Sequence, residues 1–248
     1  MQIRPRRSVL YMPGSNARAL EKAKSIPADA LILDLEAAAA AAPDAVLLPK
    51  PGTGADIVRA TEALARAGAP DKTRLWAMIE TPLAILNLAD IAAASKRQGA
   101  RLACLVLGLN DLVKETRADL SINRRPALYW LSAALTAARA YSLDVLDGVY
   151  NNFKDAEGYK RECAHGRRLG FDGKTLIHPD QVAVANEVFA PPEAEVAFAR
   201  KIIAAFARPE SKGKGVITVD GRMVELLHAE IAARTVTIAE AIERMRAP

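Results

Sequence analysis

The chain has 248 residues, is 51% hydrophobic and 25% charged, and carries a formal net charge of +5, values typical of a globular enzyme with one large or two small domains. No basic block is interleaved with aromatic residues, so nucleic-acid binding is not expected, and the basic run Arg4–Arg7 is interpreted as a solvated N-terminal arm. No apolar run reaches membrane-spanning length and the two cysteines stand apart, so the sequence predicts a cytoplasmic protein without a membrane span, disulfide framework or zinc site.

Strand and helix patterns alternate along the chain. Strands are predicted over residues 8–14, 30–36, 45–50, 74–81, 102–111, 144–151 and 174–178, and helices over 17–26, 54–68, 82–96, 125–142 and 156–170. Continuous apolar strands separated by helices imply a parallel sheet that is covered on both faces. The first strand ends in Pro13-Gly14-Ser15-Asn16 and not in a glycine-rich phosphate turn, which favours a (β/α)8 TIM barrel over an open doubly wound sheet.

The stretch LDLEAAAAAAPDAVLLPK, residues 33–50, is too short for its place in such a barrel. Seven strands are predicted where eight close the barrel, and the strands that begin at Ala30 and Ala45 lie about half a βαβ unit apart. We infer that one βα segment is missing between Glu36 and the alanines. The alternative is a short crossover, which needs about a dozen residues and barely fits.

Three elements follow the barrel, and they predict a helical arm. A helix over 190–207 precedes a hairpin or tight turn through Asp220-Gly221, and a last helix runs from about Leu226 to Arg244. The predicted domains are therefore a barrel, 1–190, and an arm, 191–248. The arm has more apolar surface than the barrel needs, which indicates that it covers something, such as a neighbouring subunit.

Polar residues at the ends of the strands mark the candidate site, because TIM barrels place their active sites at the C-terminal ends of the strands. Glu80 and Asp111 end consecutive apolar strands, so their carboxylates should be neighbours and should suit a hard ion such as Mg²⁺. Each carboxylate could instead cap the helix that follows it. The other polar residues at these ends are Asp34, Glu36, Lys50, Asn110, Asp147, Asn151 and His178.

Six motifs occur in the order RRSVLYMPGSNARALEKA, LILDLE, AVLLPK, AMIETPLAILN, LGLNDL and DGKTLIHPDQV. Together they resemble the citrate lyase β-subunit-like branch of the HpcH/HpaI aldolase superfamily, which includes citryl-CoA, malyl-CoA and citramalyl-CoA lyases. The resemblance spans nearly the whole chain and implies the (β/α)8 barrel.

The resemblance also implies roles for particular residues. Glu80 and Asp111 would bind Mg²⁺, and Asp34 and Glu36 would line the catalytic site and hold the waters of the metal. A solvated helix face is the alternative for Arg18 and Lys22, and a packed histidine at a strand end is the alternative for His178. The residues implied to lie near coenzyme A or the substrate are Ser8, Pro13, Gly14, Arg18, Lys22, Lys174 and His178.

Two departures from the family pattern bear on activity. Ala37 follows Glu36 where the family continues D-A-V into a segment with an arginine that grips the substrate carboxylate, and without that segment catalysis is in doubt. The family also presents a catalytic aspartate from the arm of an adjacent subunit, and Glu225 stands at the matching position here, with Asp220 as the local alternative. Either carboxylate could be a solvated residue at a helix start.

The function implied is Mg²⁺-dependent carbon–carbon cleavage of a 3-hydroxyacyl-CoA thioester to an acyl-CoA and a 2-oxo acid. A homotrimer or a dimer of trimers is expected. Two alternatives stay open: an aldolase that acts on free hydroxy-oxo acids without coenzyme A, and a catalytically silent subunit of a larger lyase complex.

Overall fold

The computed structural model describes residues 4–12, 18, 21–22, 24–33 and 43–246. It divides into two compact units, Arg6–Phe189 and a second unit that contains the chain from Ala190 onward. No helix among the described residues is long and apolar enough to cross a bilayer.

Seven parallel strands in the first unit form a nearly closed barrel flanked by helices. Each predicted strand is present. The strands are β1 Ser8–Met12, β2 Ala30–Leu33, β3 Ala45–Leu48, β4 Arg74–Ile79, β5 Leu102–Leu107, β6 Asp144–Asp147 and β7 Gly173–Leu176. The helices of this unit are α1 Gly54–Arg66, α2 Pro82–Leu86, α3 Leu88–Ala93, α4 Leu109–Thr116, α5 Leu128–Ala140, α6 Ala156–Leu169 and α7 Gln181–Phe189.

Two helical features differ from the sequence-based expectation. The single helix expected over 82–96 is divided at Asn87 into α2 and α3, and a short 3₁₀ turn follows them. Helix α7 was not predicted. Most of the helix expected over 17–26 lies outside the described residues.

The barrel is open at one place, between β2 and β3. The strand order is β2-β1-β7-β6-β5-β4-β3, so within the described part of the chain these two strands have one neighbour each. They are also consecutive in sequence, and the inferred missing βα segment would lie between them. An eighth strand at that point would give the complete alternation of a (β/α)8 barrel.

Alternate residues of each strand face two different environments. Val9, Trp76, Cys104, Val106 and Leu146 form a cluster with apolar residues of other strands, in the barrel interior. The intervening strand residues pack in a larger cluster that includes the helices. The sheet is therefore buried on both faces, as parallel sheets are.

Arg6 and Arg7 do not form a solvated arm, which corrects the interpretation of the basic run. The Arg6 guanidinium lies 4.9 Å from the centre of the Trp76 ring and 2.5 Å from Asp144. Arg7 makes a bidentate ion pair with Asp29 at 2.6 and 2.9 Å, and both residues are buried. These charges are paired inside the fold because an unpaired buried charge is costly.

The second unit has its own small core, formed by Ala199, Ile202, Val219, Val224 and Ala232. Its two-residue turn at Asp220-Gly221 has positive φ at both residues, +48° and +75°, as the favoured hairpin turns require. The elements of this unit are α8 Glu193–Phe206, β8 Val216–Val219, β9 Arg222–Glu225 and α9 Leu226–Arg246.

Candidate metal and thioester site

Glu80 follows β4 directly and is buried, with 4% of its surface exposed. Its Oε1 accepts a hydrogen bond of 2.9 Å from the backbone N–H of Lys50. The cap of α2 is supplied by Thr81, whose hydroxyl accepts from the Ala84 N–H at 3.1 Å. Glu80 is therefore not the helix cap, and a buried carboxylate needs another reason to be there.

Asp111 lies in the first turn of α4, on the connection that follows β5. Its Oδ1 accepts a hydrogen bond of 3.0 Å from the Lys50 ammonium. One lysine thus bridges the two carboxylates, Glu80 through its backbone N–H and Asp111 through its side chain. The structure brings the pair together as their positions on consecutive strands predict.

The electrostatics of this pair favour a bound cation. Burial raises the pKa of Glu80, and the nearby charge of Asp111 adds to that increase, although the hydrogen bond from Lys50 opposes it. The hydrogen bond to Asp111 and its charge raise the pKa of Lys50. Two adjacent carboxylates form a donor set that fits Mg²⁺, which prefers one or two protein carboxylates and takes its other oxygens from water or substrate. Residues Glu80 and Asp111 would hold the ion.

Tyr11, near the end of β1, is a residue that the sequence analysis did not single out and that is influenced by the charge of Glu80. Burial, with a smaller contribution from the charge of Glu80, raises the pKa of Tyr11 to about 12. The phenol therefore stays protonated at neutral pH. Its only sequence signal was its place near the end of a strand.

Gly108 has no side chain, and the Glu80 side chain occupies the space beside it. A Cβ added at residue 108 would lie 2.4 Å from the Glu80 Cβ and 3.1 Å from its Oε2. The Glu80 Cβ cannot rotate out of the way, since it is fixed to the backbone of β4. The glycine of the LGLND motif is therefore part of the site.

We expect Gly108→Ala to displace Glu80, to cost about 1–3 kcal/mol of stability and to weaken Mg²⁺ binding by about tenfold. Thermal unfolding and calorimetric titration with MgCl₂ measure the two effects. Gly215→Ala is the matched control, because a Cβ at residue 215 meets nothing within 4 Å. Wild-type Mg²⁺ affinity in Gly108→Ala would contradict the steric argument.

Two polar or aromatic pairs lie on the segments that follow β5, β6 and β7. Asn110 and Asn151 exchange side-chain hydrogen bonds of 2.7 and 3.2 Å. The His178 ring stacks on Phe153 with 4.6 Å between ring centres, and its Nδ1 accepts from the Asp180 N–H at 3.3 Å. His178 is at the expected end of its strand and is partly exposed.

The Lys174 ammonium is bonded within the fold and is not exposed to a ligand. Lys174 is fully buried, and its ammonium donates to Asp147 at 3.1 Å, to Glu162 of α6 at 2.7 Å and to the carbonyl oxygen of Gly148. Arg124 binds the two oxygens of Asp147 at 2.6 and 2.9 Å. All three donors of Lys174 are used, so the network joins β6 and β7 to α6 and leaves no donor for a ligand.

Lys174→Met is expected to lower the free energy of unfolding by about 3 kcal/mol, because it removes one partner of a buried ion pair. Urea denaturation measures the loss. The control Lys160→Met removes the exposed Lys160–Glu187 pair and should change stability by less than about 0.5 kcal/mol. A cost below about 1 kcal/mol for Lys174→Met would show that the network does not hold the barrel together.

The Ser8 hydroxyl is held by hydrogen bonds within the fold. This buried hydroxyl donates to Asn186 at 2.7 Å and accepts from the Asp29 N–H at 3.1 Å. Arg18 and Lys22 are exposed and helical, so both cations face solvent. Pro13, Gly14, Asp34 and Glu36 lie outside the described residues.

Glu225 ends β9 in the second unit and is partly exposed. Its backbone N–H donates to Nδ1 of His228 at 2.9 Å. The alternative carboxylate, Asp220, is paired with Lys201 at 2.6 Å. Glu225 is flanked by exposed apolar side chains at Met223, Leu226, Leu227 and Ile231.

The chain is similar to several known proteins over most of its length. The chain is 42% identical to a (3S)-malyl-CoA thioesterase of Cereibacter sphaeroides over 99% of both chains. It is 30% identical to the citrate lyase subunit beta of Escherichia coli K12, over 90% of this chain and 89% of that one. A crystal structure of CitE from Mycobacterium tuberculosis in complex with magnesium, acetoacetate and coenzyme A has a TM-score of 0.66 and 27% identity, over 94% of this chain and 97% of the other.

The alignment with the thioesterase is longer than this chain. It runs over 292 positions, whereas 99% of this chain is about 246 residues, so about 46 positions of the relative have no counterpart here. The length is that of a βα unit with its connections. The open place in the sheet lies between β2 and β3, the two strands that flank the inferred missing segment.

The HpcH/HpaI aldolase/citrate lyase family model matches residues 38–179, more than half of the chain. The match begins two residues after Glu36, at the position where the sequence pattern is interrupted. The matched residues include the five consecutive strands β3 to β7 and both carboxylates of the candidate metal site. On these grounds the chain belongs to the HpcH/HpaI aldolase/citrate lyase family.

Proposed function

We propose that the protein is a Mg²⁺-dependent carbon–carbon lyase that cleaves a 3-hydroxyacyl-CoA thioester into an acyl-CoA and a 2-oxo acid. The observation that carries the proposal is the convergence of Glu80 and Asp111 on Lys50 in a member of this family. The names of the relatives support the substrate class, since one is named for malyl-CoA and another is a citrate lyase subunit.

Glu80 and Asp111 hold the metal in this proposal. A Mg²⁺ ion bound there supplies a Lewis acid that stabilises negative charge on oxygen as the carbon–carbon bond breaks. Asp34 and Glu36 retain their proposed places beside it. Burial of Glu80 excludes water from one side of the pair, which strengthens its electrostatic interactions.

The 3-hydroxyl group loses its proton and its oxygen becomes the carbonyl oxygen of the 2-oxo acid. The electron pair of the broken carbon–carbon bond passes to the thioester enolate, whose carbon then takes up a proton. Glu225 is the proposed donor, and it is accessible at the end of β9. General acid–base catalysis by one positioned residue typically contributes 10²–10⁴-fold. The exposed cations Arg18 and Lys22 are proposed to face the phosphates of coenzyme A, and His178 to lie at the same mouth.

The apolar surface beside Glu225 supports a homo-oligomer, with a trimer or a dimer of trimers as the proposed state. Met223, Leu226, Leu227 and Ile231 are each more than half exposed in the single chain. A patch of such side chains is typical of a protein–protein contact. A subunit that covered the patch would also receive Glu225.

Hydrolysis of the thioester is the second candidate, because the thioesterase relatives share 41–42% of their residues with this chain. Hydrolysis uses water, leaves the carbon–carbon bond intact and releases malate with free coenzyme A. Cleavage releases glyoxylate with acetyl-CoA. The two reactions of malyl-CoA therefore differ in their products: hydrolysis releases a free thiol, and cleavage releases a 2-oxo acid.

A cleavage assay with two readouts tests the proposal. Malyl-CoA, citramalyl-CoA, citryl-CoA and β-methylmalyl-CoA are each incubated with protein and MgCl₂, and 2-oxo acid and free thiol are both measured. Oxo acid without thiol supports the lyase, and thiol alone supports the thioesterase. Turnover of free hydroxy-oxo acids only would support the aldolase, and no turnover with Mg²⁺ bound would support the silent subunit.

A further inference from the structure

Lys50 lies beside both carboxylates of the candidate metal site, and its side chain has no role in the reaction as proposed so far. Its ammonium is 3.0 Å from Asp111, and its backbone N–H is 2.9 Å from Glu80. The two contacts come from different parts of the same residue. The side chain can therefore move while the backbone stays bonded to Glu80.

The backbone around Lys50 is constrained and holds the residue beside Glu80. Lys50 follows β3, whose register with β4 pairs Leu48 with Ala77, and so it arrives beside the end of β4 at Glu80. Its φ is +49°, in the left-handed region, and it lies between Pro49 and Pro51. A left-handed conformation in a residue other than glycine is costly and persists where the surroundings hold it, often at functional sites.

We propose that Lys50 is a built-in counter-ion of the metal site, which Mg²⁺ displaces from Asp111, and that its released ammonium then binds the carboxylate of the 2-oxo acid. The inference rests on the proposed function and adds a positioning residue to it. Before the metal binds, the ammonium offsets the repulsion between Glu80 and Asp111. After the metal binds, the same positive charge is available to the substrate.

The geometry supports both halves of this exchange. The Lys50 and Asp111 side chains are 54% and 37% exposed, and an ion pair with that exposure is weak enough for a divalent cation to displace. The Lys50 ammonium sits on a flexible four-carbon stem, so it can turn toward an anion beside the metal.

Binding measurements on variants test the exchange without turnover. Wild type, Lys50→Met and Lys50→Arg are titrated calorimetrically with MgCl₂, and then with pyruvate at saturating Mg²⁺. Lys72→Met is the control, because Lys72 is an exposed lysine just before β4, at the opposite end of the strand from Glu80. Circular dichroism checks that each variant is folded.

We expect Lys50→Met to bind Mg²⁺ about fivefold more tightly, the change that corresponds to loss of a half-exposed ion pair, and to bind pyruvate at least about tenfold more weakly. Lys50→Arg should retain pyruvate binding, and Lys72→Met should change neither affinity. Unchanged or weaker Mg²⁺ binding in Lys50→Met, or unchanged pyruvate binding, would overturn the role of Lys50 while leaving the lyase proposal intact. Absence of Mg²⁺ binding in both wild type and Lys50→Met would overturn the two proposals together.

Discussion

Insertion of the missing βα segment between Glu36 and Ala37 is expected to raise kcat/KM for malyl-CoA by at least about a hundredfold. The segment would come from the 42% identical thioesterase, which has about 46 positions without a counterpart here. By the family resemblance it supplies an arginine that grips the substrate carboxylate. Correct placement of a reacting group accounts for rate effects of this size, since a misplacement of about 1 Å can cost about 10² in rate.

The same insertion should raise thermal stability. Within the described residues, β2 and β3 each have one strand neighbour, and an added parallel strand would bond to both. Unpaired strand edges also invite association between chains, so the insertion should reduce aggregation. A Gly/Ser-rich insert of equal length is the control and should improve neither property. Equal activity of the 248-residue chain and the insertion variant would show that the loss is functionally silent.

Glu80→Gln and Asp111→Asn are expected to abolish metal-dependent activity and to weaken Mg²⁺ binding by at least about a hundredfold. Each replaces a charged metal ligand by a neutral amide of the same shape, and a Mg²⁺ site needs its carboxylates. Loss of the metal removes several kcal/mol of transition-state stabilisation. Calorimetric titration and the malyl-CoA assay measure the two effects.

The melting temperature distinguishes a metal-binding role of Glu80 from a structural role. Burial and the charge of Asp111 raise the pKa of Glu80, so removal of the charge should leave the melting temperature of Glu80→Gln unchanged or higher. A substantial fall in melting temperature would instead indicate a structural residue. Glu62→Gln, at an exposed position of α1, controls for the loss of one negative charge and should change Mg²⁺ affinity less than twofold.

The strand–helix alternation, the proximity of Glu80 to Asp111 and the inferred position of the missing segment can all be predicted from the sequence. Each of these follows from spacing along the chain. Consecutive parallel strands end side by side, so two carboxylates at those ends must be neighbours. The interval from Ala30 to Ala45 is too short for a βαβ unit wherever the sheet lies in space.

The face of a strand on which each polar residue lies is seen only in the three-dimensional structure. A strand buried on both faces is apolar throughout, so its sequence does not show which residues point into the barrel and which toward the helices. Lys174 and Asp147 face α6, and their ion pairs are completed by Glu162 of α6 and by Arg124, which precedes α5. The contact of Lys50 with Asp111 joins residues 61 positions apart, so packing of the strands, and no local pattern, brings the ammonium to the metal site.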